Sequence, residues 1–460
     1  MNLQQNTQAQ IKHDAFNEQK QLENIVAQAI EKARKKVDSV EVAINKSTGI
    51  NISTRLGETE NIEFNNDGAL GITVYHQQRK GSASTNDLSP EAIEQAINMA
   101  INIMKYTSED PCSGLGDKAL MAFDAPDLDL FYPSDLDVEQ GIIYASEAEK
   151  TALSHVGIKS SDGGYFASNY GIRVYGNSLG MLQGYCASSH SISCSVIGEK
   201  NGEMESNYAY TSARDMNELR SAQWVGQEAA RRTTAHLGAK QIATMQVPVI
   251  FSADVATGLM AHFASAINGG AIYKKSSFLL DKIGQQIFPQ WLTIEDKPHI
   301  LKGVASSPFD RDGVKTQDCT IIQSGCLQTY LLSSYSARQL STKAMPLQST
   351  GHASGIYNWR LTSEKPLIDF EHMLKTMGTG IIVTSLMGQG VNMITGDYSR
   401  GASGFWVENG QIQYPINEFT VAGNLSDIYR NIVQLGNDIE TRTNIQCGSI
   451  LIDNMSIAGR

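Results

Sequence analysis

The sequence predicts an α+β fold, with helix-flanked antiparallel sheets in the N-terminal half and a strand-rich, mostly β, C-terminal domain. In the first half, segments with apolar residues at helical spacing follow segments in which apolar and polar residues alternate. From Gln241 onward, many short strand-like runs lie between glycines. A chain of 460 residues also exceeds what one hydrophobic core usually organises, so we expect several domains.

Shifts in composition divide the chain into four parts. We expect a polar, flexible N-terminus over residues 1–16, an α+β unit over 17–120, a second α+β unit over 121–240 and a β-rich C-terminal domain over 241–460. Pro, Gly and Asp are frequent between residues 108 and 129, which is typical of a loop or a linker between domains.

The first unit contains two helix patterns and one sheet pattern. An apolar stripe predicts a helix over 17–37, and Ser89 followed by Pro90 marks the start of a second helix. Alternating runs predict antiparallel strands at 40–46, 50–55 and 70–77, with a break at Asn66-Asp67-Gly68.

The later units follow the same rules. Helices are predicted over 138–155 and 218–236, and strands at 171–175, 191–198 and 208–212. In the C-terminal domain, strands are predicted at 247–251, 319–322, 327–332, 380–386, 404–408 and 411–414. Asn409-Gly410 gives the sharpest local signal, because this pair supplies the positive φ angles of a tight hairpin turn.

Composition excludes several classes of function. The net charge of −11 repels a phosphate backbone, so we expect no nucleic-acid partner. The sequence shows neither an apolar run of membrane-spanning length nor a secretory signal pattern, so we expect a cytoplasmic protein without a membrane partner. Six scattered cysteines without a C-x-x-C pair indicate reduced thiols rather than a disulfide framework.

His262 lies on a predicted helix that Asp254 could cap. A zinc hydrolase helix needs an adjacent glutamate as general base and a second histidine about one turn later. Phe263 occupies the glutamate position, and Ala266 and Ile267 occupy the positions open to a second ligand. From these residues alone, a histidine on a packed helix is the commoner interpretation.

Polar residues in predicted loops are the candidates for substrate binding. A diglycine loop, Gly269–Ser277, could hold a carboxylate, but it lacks the spacing of a nucleotide-binding P-loop. The candidate substrate-binding residues are Tyr273, Lys274, Arg338, His352, Arg360, Asp397 and Arg400. Ordinary loop hydrogen bonds, and an ion pair between Asp397 and Arg400, are the alternatives. Cys447 could form a nucleophile pair with His352, although a buried thiol is the default interpretation.

Seven stretches together resemble one known family. They are Gly269–Phe278, Trp291–Asp296, Ser334–Arg338, Ser349–Ala353, Gly388–Asn392, Gly396–Ala402 and Asn437–Arg442. With these stretches the chain resembles the TldD/PmbA family, and more closely its PmbA/TldE branch. The similarity extends over nearly the whole chain after the Gln-rich start and is weaker before about residue 241.

The resemblance implies a cytoplasmic bacterial metallopeptidase built as a pair. A TldD subunit carries a zinc helix, H-E-x-x-x-H, and a later cysteine ligand. The pair acts on peptides and small, partly unfolded proteins, including in the maturation of a peptide antibiotic. Set against that helix, His262 matches the first histidine, Phe263 replaces the glutamate, Ile267 replaces the second histidine and Cys447 falls at the cysteine.

We therefore expect a non-zinc subunit without catalytic residues of its own. His262 and Cys447 are the vestigial metal positions, no cofactor is expected in this chain, and zinc is expected in a TldD-type partner. The isolated chain could instead form a homodimer. Two other hypotheses stay open: a non-enzymatic adaptor, in line with the family's older label as a modulator of DNA gyrase, and a self-sufficient Cys/His hydrolase.

Overall fold

The computed structural model describes residues 2–135 and 137–459, with side chains described from residue 8 onward. Its N-terminal half is built on one six-stranded antiparallel sheet with the strand order β3-β2-β1-β4-β5-β6. The strands are β1 (Ser39–Arg55), β2 (Glu58–His76), β3 (Arg79–Thr85), β4 (Ile158–Asn177), β5 (Leu182–Lys200) and β6 (Glu203–Ala213). The two predicted α+β units contribute three strands each to this sheet.

The helices of the N-terminal half cover one face of this sheet. They are α1 (Asn2–Ala33), α2 (Pro90–Tyr106), α3 (Val138–Leu153) and α4 (Ala222–Ala235). Val42 and Ile44 of β1 pack in the core under α1 and α2, and Ile50 and Ile52 pack in the core under α3 and α4. Because side chains alternate between faces along a strand, the odd-numbered residues at the start of β1 face away from these helices.

Two local features of this half differ from the sequence prediction. Helix α1 begins at Asn2, so the helix that we predicted from residue 17 also includes residues 2–16. That segment contains neither glycine nor proline, and the Phe16 ring packs edge-on against Phe131. The break predicted at residues 66–68 is also absent, because β2 pairs with β1 through this segment.

The C-terminal domain contains two sheets. A mixed six-stranded sheet has the order β14-β13-β12-β7-β17-β15, and a second sheet has the order β10-β9-β8-β11-β16. The elements, in chain order, are β7 (Met245–Phe251), α5 (Ala253–Ala266), α6 (Gly269–Tyr273), β8 (Leu292–Asp296), β9 (Cys319–Gln323), β10 (Cys326–Leu327), α7 (Ser334–Leu340), β11 (Trp359–Ser363), α8 (Phe370–Met377), β12 (Gly380–Met387), β13 (Asp397–Glu408), β14 (Gln411–Asn424), α9 (Leu425–Arg430), β15 (Ile432–Leu435), β16 (Ile445–Gln446) and β17 (Ile450–Ala458). The mixture of helices and sheets in both halves confirms the predicted α+β class.

Helix α5 is the centre of this domain. Its buried side chains share one hydrophobic core with residues of both sheets, whereas α8 packs in a separate core with Ile250 and Ile382. The predicted hairpin is confirmed: Asn409 and Gly410 both have positive φ, and Glu408 pairs with Gln411. The strand predicted over 327–332 was wrong, since β10 ends at Leu327.

The two halves meet along a polar and aromatic seam. Met121, in the linker between α2 and α3, forms a β-bridge with Val314 of the C-terminal domain. Arg442 donates to the Tyr210 carbonyl, and Arg214 donates to the Val304 carbonyl. In the described part of the chain, no helix combines the length and the apolar character that crossing a membrane requires.

Candidate functional site

A cavity of about 780 Å³ lies between the N-terminal sheet and the C-terminal domain. Its first wall is the sheet face that the helices leave open, formed by odd-numbered residues of β1 and β2 such as Glu41 and Thr73. The linker provides a second wall around Asp110 and Gly114. The C-terminal domain completes the cavity with side chains from α6, from α7 and from a loop around Asp312.

Glu41 is the carboxylate on the sheet side of the cavity. It accepts hydrogen bonds from the Tyr75 hydroxyl at 2.7 Å and from the Tyr175 hydroxyl at 2.8 Å. Burial raises the pKa of Glu41 above its ordinary value, while the two tyrosine donors oppose that rise. Burial and the nearby Glu41 charge also raise the pKa of both tyrosines, so their hydroxyls stay protonated as donors.

Tyr273 and Lys274, from the predicted diglycine loop, lie on the opposite wall. The Asn268 side chain caps the short helix α6 by accepting from Gly270 N at 2.9 Å, which fixes the start of this segment. The rings of Tyr273 and Tyr335 meet edge to face at 5.7 Å. The Lys274 ammonium lies 5.7 Å from the Tyr273 ring centre.

His352 belongs to the cavity wall, but its ring is committed to the protein interior. Its Nε2 lies 3.1 Å from Asp296 Oδ2, and its Nδ1 lies 2.9 Å from the Thr350 hydroxyl. The two side chains of the His352 and Asp296 pair are 1% and 0% exposed. The ring is therefore placed to stabilise the wall rather than to touch a ligand.

A buried aspartate supports the same wall. Asp310 accepts hydrogen bonds from Val314 N and Ala353 N, and so ties two loops together. Burial, followed by the charge of Asp312, raises the pKa of Asp310 to about 7. Asp312 itself accepts from Ser334 N at 3.0 Å, which fixes the first turn of α7.

The other four candidate residues lie outside the lining of this cavity. Arg338 donates to the carbonyls of Cys112, Gly114 and Leu115 and so holds the linker. Arg360 lines a second cavity of about 630 Å³ beside β11.

Asp397 and Arg400 lie on β13, near the start of the strand. Asp397 accepts from the Thr395 hydroxyl and from the Asn424 amide. Within residues 2–135 and 137–459, Asp397 and Arg400 do not form the ion pair that we considered, because side chains three positions apart on a strand point to opposite faces.

Core side chains occupy the positions on and after α5 at which a zinc-type motif would have its glutamate and second histidine. Phe263 is fully buried, and its ring packs against Phe288 at 4.9 Å, Tyr429 at 5.7 Å and Trp359 at 5.8 Å. Ile267, immediately after the helix, is equally buried in the same core. The positions of the general base and of the second ligand are therefore occupied by core side chains.

His262 faces a different direction from Phe263. Its ring lies 6.0 Å from the Tyr398 ring, and its buried Nε2 has no hydrogen-bond partner among the described residues. Burial, with a contribution from the Arg400 charge, lowers the pKa of His262. Asp254 does not cap this helix as we expected: Ser252 is the N-cap residue, and Asp254 pairs with Arg232 and Arg442.

Cys447 is buried in the same hydrophobic core as Phe263. Burial raises the pKa of its thiol, and the charges of Asp438 and Glu440 raise it further. A cysteine binds zinc or acts as a nucleophile in its thiolate form. Burial and the two neighbouring carboxylates disfavour the thiolate of Cys447. Among the described residues, no cluster of three or more His, Cys, Asp or Glu side chains could hold a metal ion. The residues present do not fit a zinc site, which usually takes three protein ligands.

Several residues of the cavity were missed from the sequence. Glu41 and Thr73 lie in segments that we recognised only as half-solvated strands, and Lys80, Arg311 and Asp312 lie in segments without any motif. The available signal was the alternation of polar residues along β1 and β2, which marks one face of the sheet as polar. That signal does not tell which other segment lies against the face.

Three family models match consecutive parts of the chain. They are described as PmbA/TldA metallopeptidase domain 1, matching residues 40–103, the central domain, matching 131–237, and the C-terminal domain, matching 244–459. Metalloprotease PmbA of Escherichia coli O157:H7 is 57% identical over 444 residues, which cover 96% of this chain and 97% of that protein. The chain therefore belongs to the PmbA/TldD family of metallopeptidases. Within that family, this identity places it in the PmbA branch.

Solved structures show the same fold. A candidate modulator of DNA gyrase from Bacteroides thetaiotaomicron has a TM-score of 0.88 and 26% identity, covering 95% of this chain and 98% of its own. TldE from Thermococcus kodakarensis has a TM-score of 0.78 and 19% identity, covering 95% of this chain and all of its own. At that identity the likeness to TldE is one of fold.

Proposed function

We propose that this chain is the non-zinc subunit, of the PmbA/TldE type, in a two-subunit metallopeptidase. A TldD-type partner supplies the zinc ion and the general base. This chain helps to enclose and orient a peptide or a small unfolded protein. The observation that carries the proposal is the burial of Phe263 and Ile267 in the core at the two positions where the chemistry needs a glutamate and a histidine.

The cavity between the two halves supplies the binding surface in this proposal. It is large enough for several residues of an extended peptide, and its walls offer tyrosine rings and hydroxyls, lysines and strand backbone. Tyr273 and Lys274 contact the substrate directly. No bond-breaking step is assigned to this chain, and its residues act by binding and orientation alone.

The setting of the proposal follows from the family resemblance. We place the pair in the cytoplasm and include the maturation of peptide antibiotics among its reactions. Crystals of the isolated chain could contain a homodimer in place of the heterodimer.

The test compares the chain alone with the chain mixed with a TldD-type partner. Cleavage of an unstructured peptide and the zinc content of each purified sample are measured. We expect cleavage and about one zinc ion per pair only in the mixture. The His262→Ala variant of this chain should leave both quantities unchanged, because the metal lies in the partner. Zinc-dependent cleavage by the lone chain would overturn the proposal.

Two outcomes would support the alternatives. Binding of a folded partner without turnover in any mixture would favour an adaptor, in keeping with the gyrase-modulator description of a similar structure. Activity of the lone chain that the Cys447→Ser variant abolishes would favour a Cys/His hydrolase.

A further inference from the structure

Three basic side chains and three carboxylates line the cavity between the two halves, and no ion pair joins them in the described part of the chain. Lys80, Lys274 and Arg311 line it, and all three are exposed. None of the three forms an ion pair with another described residue of the chain. The Lys80 ammonium lies 6.0 Å from the Tyr75 ring centre, and its charge opposes the rise in the pKa of Glu41; the Lys274 ammonium lies 5.7 Å from the Tyr273 ring centre.

The carboxylates of the cavity, by contrast, already have protein donors. Glu41 accepts from two tyrosine hydroxyls. Asp110 accepts from the Tyr335 hydroxyl at 2.7 Å and from Cys112 N at 2.9 Å. Asp312 accepts from Ser334 N. These carboxylates thus have hydrogen-bond donors within the wall, whereas Lys274 and Arg311 have no ion-pair partner among the described residues.

Two further features lie at this surface, the charge of Arg338 beside the lining and the hydroxyl of Ser334 within it. Arg338 holds its charge next to the linker through three carbonyl groups and without a carboxylate partner in the described chain. Ser334 is 7% exposed, lines the cavity, and has a hydroxyl without a hydrogen-bond partner among the described residues. Gly116 leaves room beside it, since a Cβ there would lie 2.7 Å from the Ser334 oxygen.

We infer that this cavity binds the carboxylate groups of an acidic peptide, with Lys80, Lys274 and Arg311 as the charged partners and the Ser334 hydroxyl as an uncharged donor. The inference rests on the proposed function and names its substrate class. Hydrogen bonds to charged groups are about twice as strong as neutral ones, so an acidic segment gains most from these partners. The net charge of −11 over the whole chain opposes the approach of such a segment, so its binding depends on the cations that line this cavity.

The test measures the binding of two fluorescein-labelled peptides to the full chain by fluorescence anisotropy. One peptide is an unstructured sequence rich in Glu, and the other has every Glu replaced by Gln. We expect the Glu peptide to bind about tenfold more tightly or better, with an affinity that falls as salt is raised. Lys274→Gln and Ser334→Ala should each weaken the Glu peptide, whereas Lys275→Gln, at the neighbouring exposed lysine outside the cavity lining, should not.

Each other outcome has a defined meaning. Equal binding of both peptides overturns the inference and leaves the peptidase-subunit proposal standing. If the Lys274→Gln and Lys275→Gln variants lose equal affinity for the Glu peptide, the peptide does not depend on the cavity lining, and the proposed site is wrong. A competition experiment asks whether inorganic phosphate displaces a bound fluorescent anion that the Glu peptide does not displace. That result would show that the cations bind phosphate, and it would also overturn the inference. Thermal unfolding of each variant, compared with the unmodified chain, separates loss of binding from loss of fold.

Discussion

Phe263 on α5 and Ile267 directly after it are the two residues at which this chain differs from the zinc-type pattern H-E-x-x-x-H. A glutamate at position 263 would need solvent or a metal nearby, but this position points into the core shared by both sheets. Phe263 fills the position with an aromatic ring that contacts three other rings. Aromatic pairs of this kind add stabilisation beyond the apolar area that they bury. The aromatic side chain at this position therefore supports the packing of the domain.

The Phe263→Ala variant should lose about 3–5 kcal/mol of stability, because it removes a buried ring and leaves a cavity among its neighbours. The His262→Ala variant should change stability by about 1 kcal/mol or less, since that side chain is half-buried and its Nε2 has no partner in the described chain. Urea unfolding followed by circular dichroism measures both. Equal losses at the two positions would contradict this account of the helix.

At the scale of single elements, local chemistry predicts the ends of several helices and one turn. Ser89 caps α2 by accepting from Ala92 N, as its position before Pro90 indicates. The Asn409-Gly410 turn also forms as predicted. The Asn-Asp-Gly signal at residues 66–68 failed because pairing with β1 fixes that segment in an extended conformation, and such long-range pairing is not visible in the local sequence.

Two glycines of the C-terminal domain should respond in opposite ways to alanine. Gly410 has a φ of 72°, and an added Cβ would lie 3.0 Å from Lys375 Cα, so Gly410→Ala should destabilise the protein by about 1 kcal/mol or more. Gly258 lies within α5 with open space around its Cβ position, so Gly258→Ala should stabilise by about 0.5–1 kcal/mol. Paired thermal unfolding measures both changes. A stabilising effect at Gly410 would exclude a strained turn.

At the scale of the whole molecule, the candidate site depends on contacts that the sequence does not reveal. Tyr335 reaches Asp110, and Arg338 reaches Leu115, across more than 200 residues of chain. The predicted residues Tyr273, Lys274 and His352 meet in one wall, but the opposite wall comes from a sheet whose polar face has no motif. The predicted loop residues line one side of this candidate cavity, and the packing of the two halves supplies the rest of its lining.

Arg338 should control the order of the linker that forms one wall of the cavity. Its guanidinium donates to three successive stretches of linker backbone, at Cys112, Gly114 and Leu115. A planar guanidinium can satisfy several carbonyls at once, whereas a lysine ammonium at the same place can reach fewer of them.

Arg338→Ala should therefore raise amide hydrogen exchange in residues 112–115 about tenfold or more, since hydrogen bonds to charged groups contribute about 1.5–3 kcal/mol each. Arg338→Lys should give an intermediate rate, and Arg360→Ala, at an exposed arginine bonded to Gln446, should leave exchange in this segment unchanged. Unchanged exchange in Arg338→Ala would mean that the linker is held by the Asp110 and Tyr335 contact alone.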